Sequence, residues 1–390
     1  MKLSIALLAV VSSTLCAGFA PHSLPVASSP RTALRDAVPI SWSGKNYKST
    51  ELPEGLPEGA REALEYFAAW AAEEDYVVQL SDSASFAMFS HKRKVSSKSW
   101  SKAIVPALEQ IEELAPLPDR DGESVETGDV ERTPQNELTV SWGEVHDLEH
   151  DAACFFELKN SDHMRSLLEY IAEKEEKPAG WAEPYAELPG LILHEPLVGI
   201  IVGTAPGVEE WDPLNEMVNR ISRIMLVRRF RTIPNWITQG LAWNVEFEVR
   251  GNIFCFPHRD RFVGVAEHGG WRDDLKVQFK SKKGPLLDLE ALVGWRVGTY
   301  DPIQAGRAWG TISYISRAKP GALGDIIEEL RLLTDEKGRM TRADGTWERI
   351  PGFSPSAEDQ LEVLQRHLGP EFLEDVTQYF NKGMKKPATR

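Results

Sequence analysis

Cysteine is scarce in this chain: three residues in 390. One of them, Cys16, lies near the N-terminus, so Cys154 and Cys255 allow a single disulfide or two free thiols. That excludes a disulfide-stapled scaffold. No glycine-rich phosphate loop and no G-x-S-x-G elbow occurs, which removes the usual signatures of phosphate-loop nucleotide hydrolases and serine esterases. Positive charge is also short, with 44 basic against 59 acidic residues and a net charge of −15. That balance argues against non-specific nucleic-acid binding and against docking on anionic membranes. Beyond the N-terminus no apolar run is long enough to predict a transmembrane span. What is present is a 42% hydrophobic, 26% charged composition, the profile of a globular domain.

The N-terminus reads as an export signal over residues 1–20. Lys2 supplies the positive start, Leu3 to Val11 the apolar run, and Ser12 to Ala20 a small-residue stretch. Cleavage is expected near Gly18 or Ala20, giving a periplasmic or extracellular protein. Cys16 lacks a lipobox, since Ser13 stands where leucine is required. An alternative stays open: Gly18-Phe19-Ala20-Pro21 and the acid-poor segment to about Thr50 resemble the bipartite plastid leader of algae with secondary plastids. Residues 21–55, with six prolines through Pro57, read as a flexible leader.

Periodicity divides the rest into an N-terminal part, 56–145, and a larger domain, 146–390. The first part is expected to hold a helix near Glu58–Glu74, a hairpin over Tyr76–Leu80 and Ser85–Phe89, a helix over Ser99–Leu114, and a solvated acidic loop over 116–137. The second is expected to open with a strand at Ala152–Leu158, a helix over 161–173 capped by Ser161, and two β runs within Leu191–Val202. Helices over Pro213–Arg229 and Pro234–Arg250 follow, the latter ended by Gly251. Asn252–Phe256 looks extended. Further helices are expected over 288–293, 303–317, 323–333, 357–367 and 370–380. The fold class is α+β: a small mixed sheet, two central helices and a mostly helical C-terminal part.

The first central helix carries Asn215-Glu216-Met217-Val218-Asn219. In H-E-x-x-H, two histidines one helical turn apart hold Zn²⁺ and the glutamate activates its water. Here the glutamate remains and both histidine positions are asparagine. They share a face, beside the stripe Leu214, Met217, Val218, Ile221, Ile224 and Met225. Twenty residues beyond Asn219 comes Gln239, in Pro234-Asn235-Trp236-Ile237-Thr238-Gln239-Gly240-Leu241-Ala242-Trp243.

These segments resemble the peptidase MA-like gluzincin metallopeptidases, whose H-E-x-x-H helix is followed by a P-x-W-x-x-E-G-L-A segment bearing the third zinc ligand. Leu191 to Asp212 resembles the β-edge region before their catalytic helix. Arg307 to Ile315 resembles a downstream helix with spaced Trp and Tyr. The likeness extends over about residues 60–385 and is strongest over 211–246. It implies a zincin-like fold, with Asn215, Asn219 and Gln239 in vestigial metal-ligand positions and Glu216 in a vestigial general-base position. Carboxamides are neutral and poor Zn²⁺ ligands, so no cofactor is expected. The three amides are expected instead to hydrogen-bond to one another or to a water, with Glu216 paired to Arg220 or Arg223, or exposed.

Two other clusters have metal-site spacing. His146-Asp147-Leu148-Glu149-His150 fits H-x-x-E-H, but has no apolar helical stripe and reads as a loop. Cys255, His258 and His268, with Asp260, read as a core cysteine and surface histidines. Of twelve tryptophans, most are expected in the core and a few in a cleft. The reading is an exported, catalytically inactive pseudopeptidase that binds or scaffolds an unknown protein or peptide. The alternatives are an active hydrolase using Glu216 or a relocated metal, and a purely structural exported domain.

Overall fold

The sheet is built around two short apolar runs, Phe86-Ala87-Met88-Phe89 and Ala153-Cys154-Phe155-Phe156. Neither alternates with polar residues, as expected of strands buried on both faces. A computed structural model describes residues 42–81, 84–91, 97–116, 152–194, 196–203, 212–230, 233–254, 270–280, 285–295, 301–341, 347–350 and 353–385. The export signal, the leader before Trp42, the acidic stretch beyond Pro116, the His146–His150 motif and the Cys255, His258, Asp260 and His268 cluster lie outside the described residues.

Six strands form one mixed sheet: β1 (Trp42–Lys48), β2 (Tyr76–Ser81), β3 (Phe86–His91), β4 (Ala153–Leu158), β5 (Gly190–His194) and β6 (Leu197–Val202), in the order β1-β2-β3-β4-β6-β5. The pairs β3–β4 and β4–β6 are parallel, and the others antiparallel. The sheet therefore runs through both expected parts of the chain, and 145/146 does not divide it. β1 lies in the segment read as leader, paired at an edge through Lys48↔Val77.

One face of the sheet takes Ala87, Phe89, Cys154, Phe156 and Leu158. Helices α1 (Glu58–Glu73), α3 (Ser161–Lys174) and α4 (Glu183–Ala186) pack on it. The cap of α3 is Asn160, whose side chain accepts the His163 N–H, and not Ser161. The other face takes Phe86, Met88, Ala153 and Phe155. It is covered by α2 (Ser97–Leu114) and α5 (Pro213–Phe230), with α6 (Asn235–Arg250) beyond. Buried Arg229 ties α5 to α2, pairing with Glu112 and donating to the Ala115 carbonyl at 3.0 Å.

The C-terminal part is helical: α7 (Trp271–Gln278), α8 (Leu289–Val293), α9 (Pro302–Ala318), α10 (Ala322–Lys337), α11 (Ala357–Leu368) and α12 (Phe372–Asn381), with a two-stranded ribbon of β7 (Arg339–Thr341) and β8 (Trp347–Arg349). Trp236, Trp243, Trp271, Trp295 and Trp309 all belong to the core. Trp243 packs on Trp271 and Trp295, at 5.1 and 6.0 Å between rings. Among the described residues no helix is long and apolar enough to cross a membrane.

Cys154 is a free thiol beneath the sheet. Burial pushes its pKa up to about 12, and the thiolate is the reactive form. Native protein is expected to leave Cys154 unlabelled by a thiol reagent at neutral pH, with labelling appearing only on unfolding. Peptide mapping of labelled protein checks this.

Candidate functional site

Asp212 opens α5. Its Oδ1 accepts the N–H groups of Leu214 and Asn215 at 2.9 and 3.2 Å, with Pro213 at the first helical position. A side-chain oxygen satisfying the free amides of a first turn is the usual N-terminal cap. At the far end, Phe230 and Asn235 bracket a short connection, and α6 returns along α5 to end at Gly251, with φ 77°. Counting outward from that connection fixes the pairing. Eleven residues back from Phe230 is Asn219, and eleven on from Asn235 is Glu246.

The hydrogen bonds follow this register. The Asn215 amide nitrogen donates to Glu246 Oε1 at 2.8 Å, and the Asn219 amide nitrogen donates to Oε2 at 3.1 Å. The Phe254 backbone N–H also donates to Oε1. Asn215 Nδ2 is shared with Asn252 Oδ1 at 2.9 Å. Asn215 Oδ1 accepts from Arg250 Nε at 3.0 Å, and Arg250 reaches Asp212 at 3.3 Å. A chain of polar contacts thus runs Asp212–Arg250–Asn215–Glu246–Asn219 across the helix pair. Asn215, Asn219 and Glu246 have essentially no solvent exposure, at 0%, 1% and 0%. A carboxylate only accepts, so both asparagines must turn their N–H groups inward.

Gln239 is not part of this cluster. It lies seven residues before Glu246, about 10 Å down the axis at 1.5 Å per residue. The hairpin count sets it opposite Leu226. Its Nε2 donates to Asn235 Oδ1 at 3.4 Å, and its buried Oε1 has no partner. The expected three-amide cluster is therefore corrected to two amides on one carboxylate. The short connection sets the register, and that register displaces the motif position by two turns. Replacing Gln239 with methionine is expected to change stability by less than about 1 kcal/mol, because an orphaned buried acceptor leaves as the amide does. Urea denaturation of Gln239→Met checks this.

Glu216 points away from the amides, toward the sheet. It pairs with Arg220, whose Nη2 and Nε donate to Oε1 at 2.6 and 2.8 Å. Both side chains are buried, at 0% and 6% exposure. The backbone of Gly190, in edge strand β5, closes over the carboxylate: a Cβ there would lie 2.6 Å from Glu216 Oε1. Glu216 Oε2 is buried without a partner.

Among the described residues, no group of three or more His, Cys, Asp or Glu is arranged to hold a metal ion. No protein-family model matches this chain, and no curated protein matches it. The sequence reading missed Glu246, Arg250 and Asn252. A signal for Glu246 was available: two asparagines on the inner face of one helix need a partner, and equal counting across the short connection lands on it.

Proposed function

We propose that the chain is an exported pseudopeptidase with a zincin-like frame of the peptidase MA-like gluzincin type, acting by binding or scaffolding an unidentified protein or peptide. The observation that carries this reading is the Glu246 carboxylate held by the amide hydrogens of Asn215 and Asn219. A metal ligand must present a lone pair. In the two positions where H-e-x-x-H would place lone pairs, this chain presents N–H groups to an acid.

The order of elements supports the frame. An edge strand, β5, and then β6 lead directly into the helix with the asparagine pair, and a second helix bearing Gln-Gly-Leu-Ala follows. Glu216 supports the non-catalytic half of the reading. A general base must come within hydrogen-bond reach of the proton it takes, whereas Glu216 is closed in by Arg220 and Gly190.

Elemental analysis of the purified chain, paired with a peptide-cleavage assay, tests the reading. It expects no stoichiometric zinc and no cleavage that depends on Glu216. Chelator-sensitive cleavage that disappears in Glu216→Gln would establish the hydrolase instead.

A further inference from the structure

The turn that follows α12 gathers positive charge in an otherwise acidic protein. Gly383, with φ 68°, folds the chain back there, and two guanidiniums hold it. Arg272, in the first turn of α7, donates Nε to the Gly383 carbonyl at 2.7 Å, and Arg317, in the last turn of α9, donates Nη1 to the Met384 carbonyl at 3.4 Å. Lys276 stands one turn after Arg272 on α7, against the same glycine: a Cβ on Gly383 would meet its Cδ at 3.3 Å. Lys382 and Lys385 flank Gly383-Met384, and Lys280 follows the C-terminal cap of α7, Phe279. All six cations are exposed.

None of the six pairs with a carboxylate among the described residues, although the chain holds 59 acids against 44 bases. Exposed cations elsewhere do pair: Lys48 with Glu51, Arg165 with Glu187, and Lys337 with Asp359. Asp273 and Asp274 stand on α7 itself and still bridge to none of the six. Carbonyl bonds account for the two arginines, and the negative helix ends favour Lys276 and Lys382. Like charges this close repel, and the described residues supply the cluster with no counter-charge.

We propose that this surface docks an acidic peptide segment of a partner protein. The inference gives a chemistry to the partner in the binding role proposed above, and rests on that role. Size and field select a peptide over a larger polyanion. From Arg272 to Lys280 the surface runs roughly 12 Å at helical rise, the length of about four residues of extended chain. The net charge of −15 repels a membrane or a nucleic acid at long range. A short segment feels only the charges within about 8–10 Å, the screening length near physiological salt. The neighbouring rings, Phe279, Tyr379 and Phe380, are buried, so nucleic-acid bases find no stacking platform. Exposed lysine amines offer point charges to carboxylates.

The test is fluorescence anisotropy of a labelled octaglutamate peptide with the full chain. Binding is expected at about 50 mM salt and weakens by about tenfold or more at about 500 mM, as screening tightens. Lys276→Glu with Lys280→Glu is expected to weaken it by about tenfold or more. Lys102→Glu with Lys174→Glu makes the same charge change at exposed sites on α2 and α3, and is expected to keep the affinity within about threefold. Equal loss in both variants would reduce the effect to net charge and overturn the proposal, as would no binding by the wild type. Tighter binding to anionic vesicles or to duplex DNA than to the peptide, lost in the α7 variant, overturns the choice of partner. If the α7 variant does not fold, Lys382→Glu with Lys385→Glu takes its place with the same expectations. The assay involves neither zinc nor cleavage, so this inference and the pseudopeptidase frame can fail separately.

Discussion

Glu246→Ala is expected to destabilise the protein by about 5 kcal/mol. The side chain is fully buried and accepts from Asn215, Asn219 and the Phe254 N–H. Truncation leaves the Asn219 amide and the Phe254 N–H without this acceptor, at roughly 1–3 kcal/mol each, and leaves a buried cavity, while Asn215 keeps Asn252 Oδ1. Whole domains are stable by only about 5–15 kcal/mol, so this one change threatens the fold. A melting temperature lower by roughly 10 °C or more is the expected reading in a thermal scan. Glu246→Gln is the milder companion. It keeps one acceptor oxygen but turns an amide donor toward one of the asparagines. A loss near zero for Glu246→Ala would mean that the asparagines find other acceptors and that the helix pair does not depend on this carboxylate.

Arg220→Ala is expected to cost about 3–5 kcal/mol, because it strands the Glu216 carboxylate without a counter-charge in the core. Glu216 has no exposure to water, and the backbone of Gly190 closes over its carboxylate. The paired replacement Arg220→Met with Glu216→Leu should recover most of that loss, or exceed wild type, since well-packed apolar residues often match a buried ion pair. Chemical denaturation of the single and double variants separates the two effects. If Arg220→Ala is neutral while Glu216→Gln is damaging, Glu216 has a role beyond the pair, and the hydrolase reading regains ground. The two predictions concern opposite sides of α5. One face is fastened to α6 through amides and a carboxylate; on the other, an ion pair within α5 is buried beneath the backbone of Gly190 at the sheet edge. Together they describe a helix whose buried polar side chains are engaged on both of its sides.

Most of the fold was legible because its elements follow simple periods. Helices α1, α2, α5, α6 and α9 carry clear apolar stripes, and β2–β3 and β5–β6 are short apolar runs with turn residues between them. The elements that escaped have weak patterns for physical reasons. β1 is an edge strand next to a proline-marked leader, and it forms because β2 offers a free edge. α7 buries only Trp271 and Leu275, too few for a stripe. β7 and β8 are three residues each.

The site was half legible. The asparagine pair and its shared face were readable from helical spacing; for Glu216 the sequence left Arg220, Arg223 and exposure open, and the partner is Arg220. The partner was not found by motif, because a motif preserves an interval along the chain, while contact depends on where the connection folds it. α5 continues to Phe230 and α6 starts at Asn235, so the register carries Gln239 past the asparagines and brings Glu246 up to them.

The most direct test of this account is the coupling between Asn219 and Glu246 in a double-mutant cycle, using Asn219→Ala, Glu246→Ala and the double variant in urea denaturation. A bond from an amide to a buried carboxylate predicts a coupling of about 1.5–3 kcal/mol. A coupling near zero, with Asn219 coupled to Gln239 instead, would contradict it and return the three amides to a single site.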